Sequence, residues 1–394
     1  MSFYTEPAFF ILLIPIVGFA AYLGVSEKRI APFGLLVSFV MLGLLFSGQA
    51  ASALFLIAFL VMTLVLGQLC LSRFQNWGKD SPQALMLYRI ALGLQLAPIV
   101  IYKVGVVFNP SFLGFIGISY ISFKAIQVLI EIRDGLIDIL SPIEHLYYLI
   151  FFPVFTSGPI LRSRAFMSDI AQALPREQYL DRLYRGLGWF VLGALYTFVG
   201  SPLASWFMWF VPETLNGLPA LAFCTKVLGY GLDLFFDFAG YSDMAMGLGL
   251  TLGIDVPRNF RAPFVALDIK DFWDRWHMSL STWLRDFVFM RFSAFALSKK
   301  LFSSRNTTAS IGFMINMVLM GAWHGITPDY LVYGLYHGVG LALTNWIQKN
   351  WKFYKTHRHD TWFKVCEWLV CMVFVFFGFA LFGGFVVTPI LGLS

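Results

Sequence analysis

Charge is scarce in this chain: Asp, Glu, Lys and Arg make up 13% of its residues, about half the share of a soluble domain. With 58% hydrophobic residues and a mean hydropathy of +0.73, that shortage excludes an ordinary soluble globule. It indicates a polytopic membrane protein. Cysteine is scarce too. Cys70, Cys224, Cys366 and Cys371 lie in apolar runs, with no CxxC pair and no metal-ligand spacing, so they are expected to be buried core residues and no metal site is expected. There is no P-loop, no dinucleotide-binding fingerprint and no nucleic-acid module. Internal repeats, low-complexity runs and linkers are also missing, so residues 1–394 read as one domain. The N-terminal stretch has no basic region and carries Glu6, which reads as a first span rather than a cleaved signal.

What the chain does have is apolar length. A spanning helix needs about 20 mainly apolar residues. Candidate spans centre on residues 9–22, 33–45, 54–71, 90–107, 112–130, 147–155, 189–207, 220–238, 311–322, 331–346 and 365–385. The expected fold is therefore all-α, with about eleven transmembrane helices. Several are short or broken by Gly and Pro, so re-entrant pieces are expected as well, buried in protein or lining a wet cavity. Lys28 and Arg29 follow the first span, and Arg73, Lys79 and Arg89 flank the third and fourth. The positive-inside rule then puts the N-terminus outside and, with eleven spans, the C-terminus in the cytosol. The net charge of +6 needs nothing beyond that bias.

Polar clusters interrupt this background, and ionisable groups at membrane depth are costly to keep. Lys124, in the stretch 117–124, reads either as a snorkelling side chain or as a functional one. Pro153 and Pro159 break any helix through 151–160. Asp237, Tyr241, Ser242 and Asp243 sit in an apolar segment, either as a structural hydrogen-bonding network or as a functional group; Asp243 lies six residues past Asp237, off its helical face. Asp268 is a good N-cap with Asp271 three residues on. Beyond it Phe272, Trp276, Leu280, Trp283 and Phe287 form one helical stripe. Asp274, His277 and Ser281 fall on another face at i, i+3, i+7, and His277 is in reach of both Asp274 and Ser281. Residues 288–302 continue as a basic amphipathic piece suited to the cytosolic interface.

Two histidines stand out. His324 follows Trp323 and lies between Gly321 and Gly325. A neutral imidazole there can take a proton from a hydroxyl; equally, a histidine among small residues can bond a neighbouring helix. His277 reads as a partner of Asp274 or Ser281, or as a polar-face residue at the interface. His337 is a weaker candidate. His145, His357 and His359 lie in charged loops and are expected to be solvated. These observations point to a polar, histidine-bearing interior, which suits an enzyme or a transporter.

The segments 272–283 (Phe-Trp-Asp-Arg-Trp-His-Met-Ser-Leu-Ser-Thr-Trp) and 321–325 (Gly-Ala-Trp-His-Gly) resemble the membrane-bound O-acyltransferase family. The resemblance runs from about Gly117 onward. Residues 117–124, 130–135 and 284–290 are most similar to the branch of that family that moves D-alanine onto lipoteichoic acid. It implies a funnel or tunnel through the membrane domain and a D-alanyl carrier protein that presents the acyl group as a thioester on a phosphopantetheine arm. No bound cofactor is implied. His324 matches the deep histidine, expected to act as general base, and His277 matches the one nearer the cytosol. Asp274, Arg275, Ser281, Trp323, Asp237 and Tyr241 become candidates for lining the tunnel and positioning the donor. Phe289, Phe292, Phe295, Arg291, Lys299 and Lys300 become candidates for docking an acidic carrier. A membrane-anchored partner of the same pathway is implied too. Two other readings remain: an O-acetyltransferase acting on an exported polysaccharide, and a transporter, which the missing repeat disfavours.

Overall fold

The computed structural model describes residue 4 and residues 6–109, 112–215 and 217–392. Helices account for all of its regular structure, with no strand among the described residues. In chain order they are α1 (Pro7–Val25), α2 (Ala31–Leu45), α3 (Ala50–Trp77), α4 (Pro82–Phe108), α5 (Ile118–Arg133), α6 (Pro142–Ile150), α7 (Ser163–Ala171), α8 (Arg176–Leu195), α9 (Ser201–Thr214) and α10 (Pro219–Thr251). Then follow α11 (Ile269–Trp273), α12 (Met278–Leu284), α13 (Met290–Ser298), α14 (Arg305–His324), α15 (Pro328–Asn350), α16 (Lys352–His357), α17 (Thr361–Phe382) and α18 (Val387–Ile390).

Among the described residues, six helical segments are long and apolar enough to cross a membrane: α1, α3, α4, the run Arg176–Thr214, α10 and α17. They coincide with six of the eleven expected spans. The other five differ for local reasons. The α2 and α5 helices are shorter, with 15 and 16 residues. The α6 helix stops at Ile150, where Pro153 opens a 3-10 turn. The α14 and α15 helices have the length, 20 and 23 residues, but carry Asn316, His337 and Asn345 on buried positions. On the spanning helices large apolar side chains such as Ile14, Val65, Val100, Val191 and Val373 are exposed, as a lipid-facing surface requires.

The chain divides into two compact units, Met1–Ala194 with Gly240–Pro257, and Leu195–Ala239 with Arg258–Ser394. In the first, α5 is buried on every side from Ile121 to Ile132, so its polar groups must be satisfied inside protein. Lys124 does not snorkel. It is 1% exposed, and its Nζ donates to the carbonyls of Tyr148 at 3.0 Å and Leu149 at 3.3 Å. Those carbonyls are free because α6 ends one residue later. Seven residues on, the Glu131 carboxylate accepts from Ser163 and Gln127, with Arg164 3.9 Å away. Gly117, at φ +89°, starts α5 with no room for a side chain: a Cβ would stand 2.5 Å from the Phe155 carbonyl oxygen.

Two expectations fail within these helices. His145 is not solvated but fully buried, because the inner face of amphipathic α6 carries it against Gly67 of α3. Cys70 and Cys371 are buried, yet Cys224 on α10 and Cys366 on α17 are exposed.

Candidate active site

The polar motif around His277 is not one helix. Asp268 caps α11 as expected, its carboxylate accepting from the backbone of Lys270 at 2.8 Å and Asp271 at 3.0 Å. After five residues the helix ends, and His277 adopts φ 44°, ψ 49°. That left-handed backbone is uncommon for a residue with a side chain and persists only where the surroundings enforce it. Asn259 is what enforces it. Its carbonyl accepts from the Met278 N–H at 2.9 Å, and its side-chain oxygen accepts from the Ser279 backbone at 3.3 Å and hydroxyl at 2.6 Å. The chain restarts as α12 and widens into a π-turn over Arg285–Phe289.

This break corrects the expected i, i+3, i+7 face. Asp274 and Ser281 still line one cavity of about 440 Å³, together with Trp273, Arg285, Asn316 and Met320. His277 does not line it, and it pairs with neither Asp274 nor Ser281; the Ser281 hydroxyl donates to the Trp276 carbonyl instead. Arg275 is held away from the cavity, its Nε 2.6 Å from Asp271 Oδ1 and its guanidinium donating to the Arg261 carbonyl. The Trp273 indole N–H donates to His337 Nδ1 at 3.2 Å, so His337 braces the cavity wall.

His277 and His324 flank one indole. The Trp323 ring centre is 6.1 Å from the His277 ring and 4.7 Å from the His324 ring. His277 is 3% exposed, meets Phe238 edge-on at 4.7 Å, and its Nε2 has no hydrogen-bond partner among the described residues. It lies outside the spanning helices. Burial, with His324 within electrostatic reach, holds its imidazole well below the ordinary histidine range, which favours the uncharged form. His324 is half-buried at the end of α14, meeting Phe382 edge-on at 4.9 Å and Tyr330 nearly parallel at 6.0 Å. All these groups belong to the second unit.

The remaining candidates separate. Asp237 belongs to the second unit, one residue before the Phe238 that meets His277. Tyr241 belongs to the first, where its hydroxyl bonds Thr156 at 2.7 Å and accepts from the Ser157 N–H at 3.2 Å, pinning the proline-broken loop. Of the docking candidates, Phe295, Lys299 and Lys300 are exposed. Phe292 faces Phe302 at 6.4 Å, and Arg291 lies 6.0 Å from the Phe287 ring. Phe289 turns inward, lining the cavity and stacking on Phe313 at 4.9 Å. Among the described residues no three His, Cys, Asp or Glu side chains gather as metal ligands.

Sequence reasoning missed Asn259, Tyr330 and Phe382. Asn259 lies between Pro257 and Pro263, a stretch that reads as loop, and its polar side chain upstream of the motif gives no sign in the sequence that Asn259 reaches residues 278 and 279. Asn259→Ala is expected to lower turnover about 10-fold or more by freeing the His277 turn, since stranding buried donors costs about 1–3 kcal/mol. Steady-state transfer by purified protein checks this, with folded yield as the control.

The membrane-bound O-acyltransferase family profile matches residues 41–383. A curated relative, the teichoic acid D-alanyltransferase of Bacillus subtilis (strain 168), is 35% identical over 396 residues, 98% of each chain. The teichoic acid D-alanyltransferase of Streptococcus thermophilus is 36% identical over 97% of this chain and 95% of its own. A probable alginate O-acetylase of Pseudomonas syringae pv. tomato is 32% identical over 79% of this chain and 54% of its own. The chain is thus a multi-pass membrane acyltransferase, and it belongs to the membrane-bound O-acyltransferase family.

Proposed function

We propose that this enzyme moves a D-alanyl group from a phosphopantetheine thioester on a cytosolic D-alanyl carrier protein to a hydroxyl on the outer side of the membrane, in teichoic acid D-alanylation. The observation that carries the reading is the grouping of His277, Trp323 and His324, with Met278, the residue after His277, lining the same cavity as Asp274 and Ser281. The near full-length similarity to two teichoic acid D-alanyltransferases supports the choice of acyl group.

In this mechanism the acceptor hydroxyl gives its proton to the neutral His324 imidazole as its oxygen attacks the thioester carbonyl. The carbon–oxygen ester bond forms and the carbon–sulfur bond breaks. The leaving thiolate, whose ordinary pKa is near about 8.5, takes the proton back from His324. Atoms balance: thioester plus alcohol gives ester plus thiol. His277, buried beside Trp323, positions the donor. The cavity bounded by Trp273, Asp274 and Ser281 receives the arm, and the exposed face around Phe295, Lys299 and Lys300 receives the carrier. By the positive-inside rule, the basic loops after the first and third spans support an N-terminus on the outer side. A membrane-anchored partner of the pathway passes the group to the final polymer.

The test is donor choice. Proteoliposomes holding this chain receive D-[14C]alanyl carrier protein or a [14C]acetyl donor. Alkali-labile label in the membrane fraction from the D-alanyl carrier alone is expected. Label from the acetyl donor alone would move the enzyme to polysaccharide O-acetylation, which the similarity to alginate O-acetylases favours as the second reading.

A further inference from the structure

Helix α10 carries a polar stripe that the proposed mechanism does not use. Lys226, Tyr230, Asp233 and Asp237 follow one another at i, i+4, i+7 and i+11, so they share one face. Both flanks of that face are packed. On one side Gly231 meets Phe376 and Phe379, and Phe235 lies 6.3 Å from the Trp276 ring. On the other Gly229 abuts Met208 and Phe236 abuts Gly200. Between them, Tyr230 is within electrostatic reach of both Tyr330 and Asp233, and Asp233 is within reach of Asp237.

Ring contacts join Tyr330 to His324, His324 through Trp323 to His277, and His277 to Phe238, the residue after Asp237 on α10. Tyr330 is also within electrostatic reach of Tyr230 on the same polar stripe. Two carboxylates therefore lie on the helix that meets the proposed base's surroundings at both Tyr230 and Phe238. Asp233 accepts a 2.7 Å hydrogen bond from the Ser201 hydroxyl. Asp237 makes no hydrogen bond or ion pair among the described residues and is exposed on its face. Lys226, the cation of the stripe, is eleven residues away, about 16 Å along the helix axis, and its Nζ sits over the rings of Phe385 at 4.7 Å and Trp209 at 5.3 Å. It cannot neutralise Asp237.

A lone carboxylate at membrane depth calls for a cation. The aminoacyl donor brings one: its α-amino group is largely protonated at neutral pH, and an ammonium in a low-dielectric site needs an anion as much as the anion needs it. We propose that the Asp237 carboxylate, with Asp233 one turn away, receives the α-ammonium of the donor and selects an aminoacyl thioester over a plain acyl thioester. The inference rests on the D-alanyl reading above and assigns the residue that would set its donor specificity.

The test compares two carrier-bound donors of the same shape, D-alanyl and D-lactyl thioesters, which differ by ammonium against hydroxyl. Wild-type protein is expected to prefer D-alanyl. Asp237→Asn should cut D-alanyl transfer by about 10-fold to 100-fold, the scale of a lost hydrogen bond to a charged group. D-lactyl transfer should stay within about threefold, so the preference collapses, and Asp237→Glu should restore part of it. A variant that loses both donors equally, or keeps the wild-type ratio, overturns the assignment while the D-alanyl reading stands. Wild-type protein that takes neither donor from the carrier overturns that reading and this one with it.

Discussion

His324→Ala is expected to lower transfer from the loaded carrier by about 10³-fold, the middle of the range for a positioned general base, while carrier binding persists. The separation follows from placement. His324 ends α14 against Trp323, Tyr330 and Phe382, whereas the exposed carrier face lies on and after α13 at Phe295, Lys299 and Lys300. Removing the imidazole leaves that face untouched and takes away the group that accepts the hydroxyl proton. Single-turnover label transfer alongside carrier pull-down reads the two quantities independently. His324→Gln keeps more of the packing and should be nearly as inactive, because an amide is no base at neutral pH. Transfer within threefold of wild type in either variant would remove His324 from the chemistry.

Gly334→Leu should have the other large effect, on folding. The α14–α15 hairpin packs backbone to backbone. A Cβ on Gly334 would lie 2.5 Å from the Met317 carbonyl oxygen, and one on Gly321 would collide with the Tyr330 carbonyl. Small residues at such crossings let membrane helices approach closely. A leucine there has only backbone to push against, so the cost should reach or exceed the usual overpacking range of about 1–3 kcal/mol. Because α14 ends in His324 and α15 begins just after it, the separation of these two helices sets the position of the proposed base. Thermal unfolding in detergent should show a large fall in Tm or no folded protein. Gly93→Leu is the control: it lies on α4 with nothing within 4 Å of the added Cβ and should be nearly neutral.

The all-α membrane architecture was legible because apolar length is a composition-level signal, and six spans coincide with helices of sufficient length. The other expected spans fall on helices that are shorter or more polar. Helix α5 carries Lys124, Gln127 and Glu131 into the core, a choice that hydropathy alone cannot reveal because the partners are carbonyls and hydroxyls distant in sequence. The two histidines were legible as polar interruptions, but their meeting across Trp323 was not, since 47 positions separate them. The helical stripe through Phe272–Phe287 misled for a single reason. The period is genuine, yet Asn259 pins His277 into a left-handed turn, and tertiary hydrogen bonding overrides local propensity. Tyr241, near two aspartates, read either as part of a structural hydrogen-bonding network or as a functional group, and its hydroxyl bonds to Thr156 and Ser157, partners some 85 residues away that the sequence could not name.

The most direct measurement is a structure of this chain with the carrier protein bearing a D-alanyl amide in place of the thioester, which cannot be transferred. The account predicts the acyl carbonyl inside the ring of His277, Trp323, His324 and Tyr330. An acceptor oxygen would then fit within about 3–3.5 Å of the carbonyl carbon and in hydrogen-bonding reach of the His324 imidazole. An acyl group bound anywhere else, such as the apolar groove between α15 and α17 lined by Leu343, Ile347 and Phe374, would contradict it.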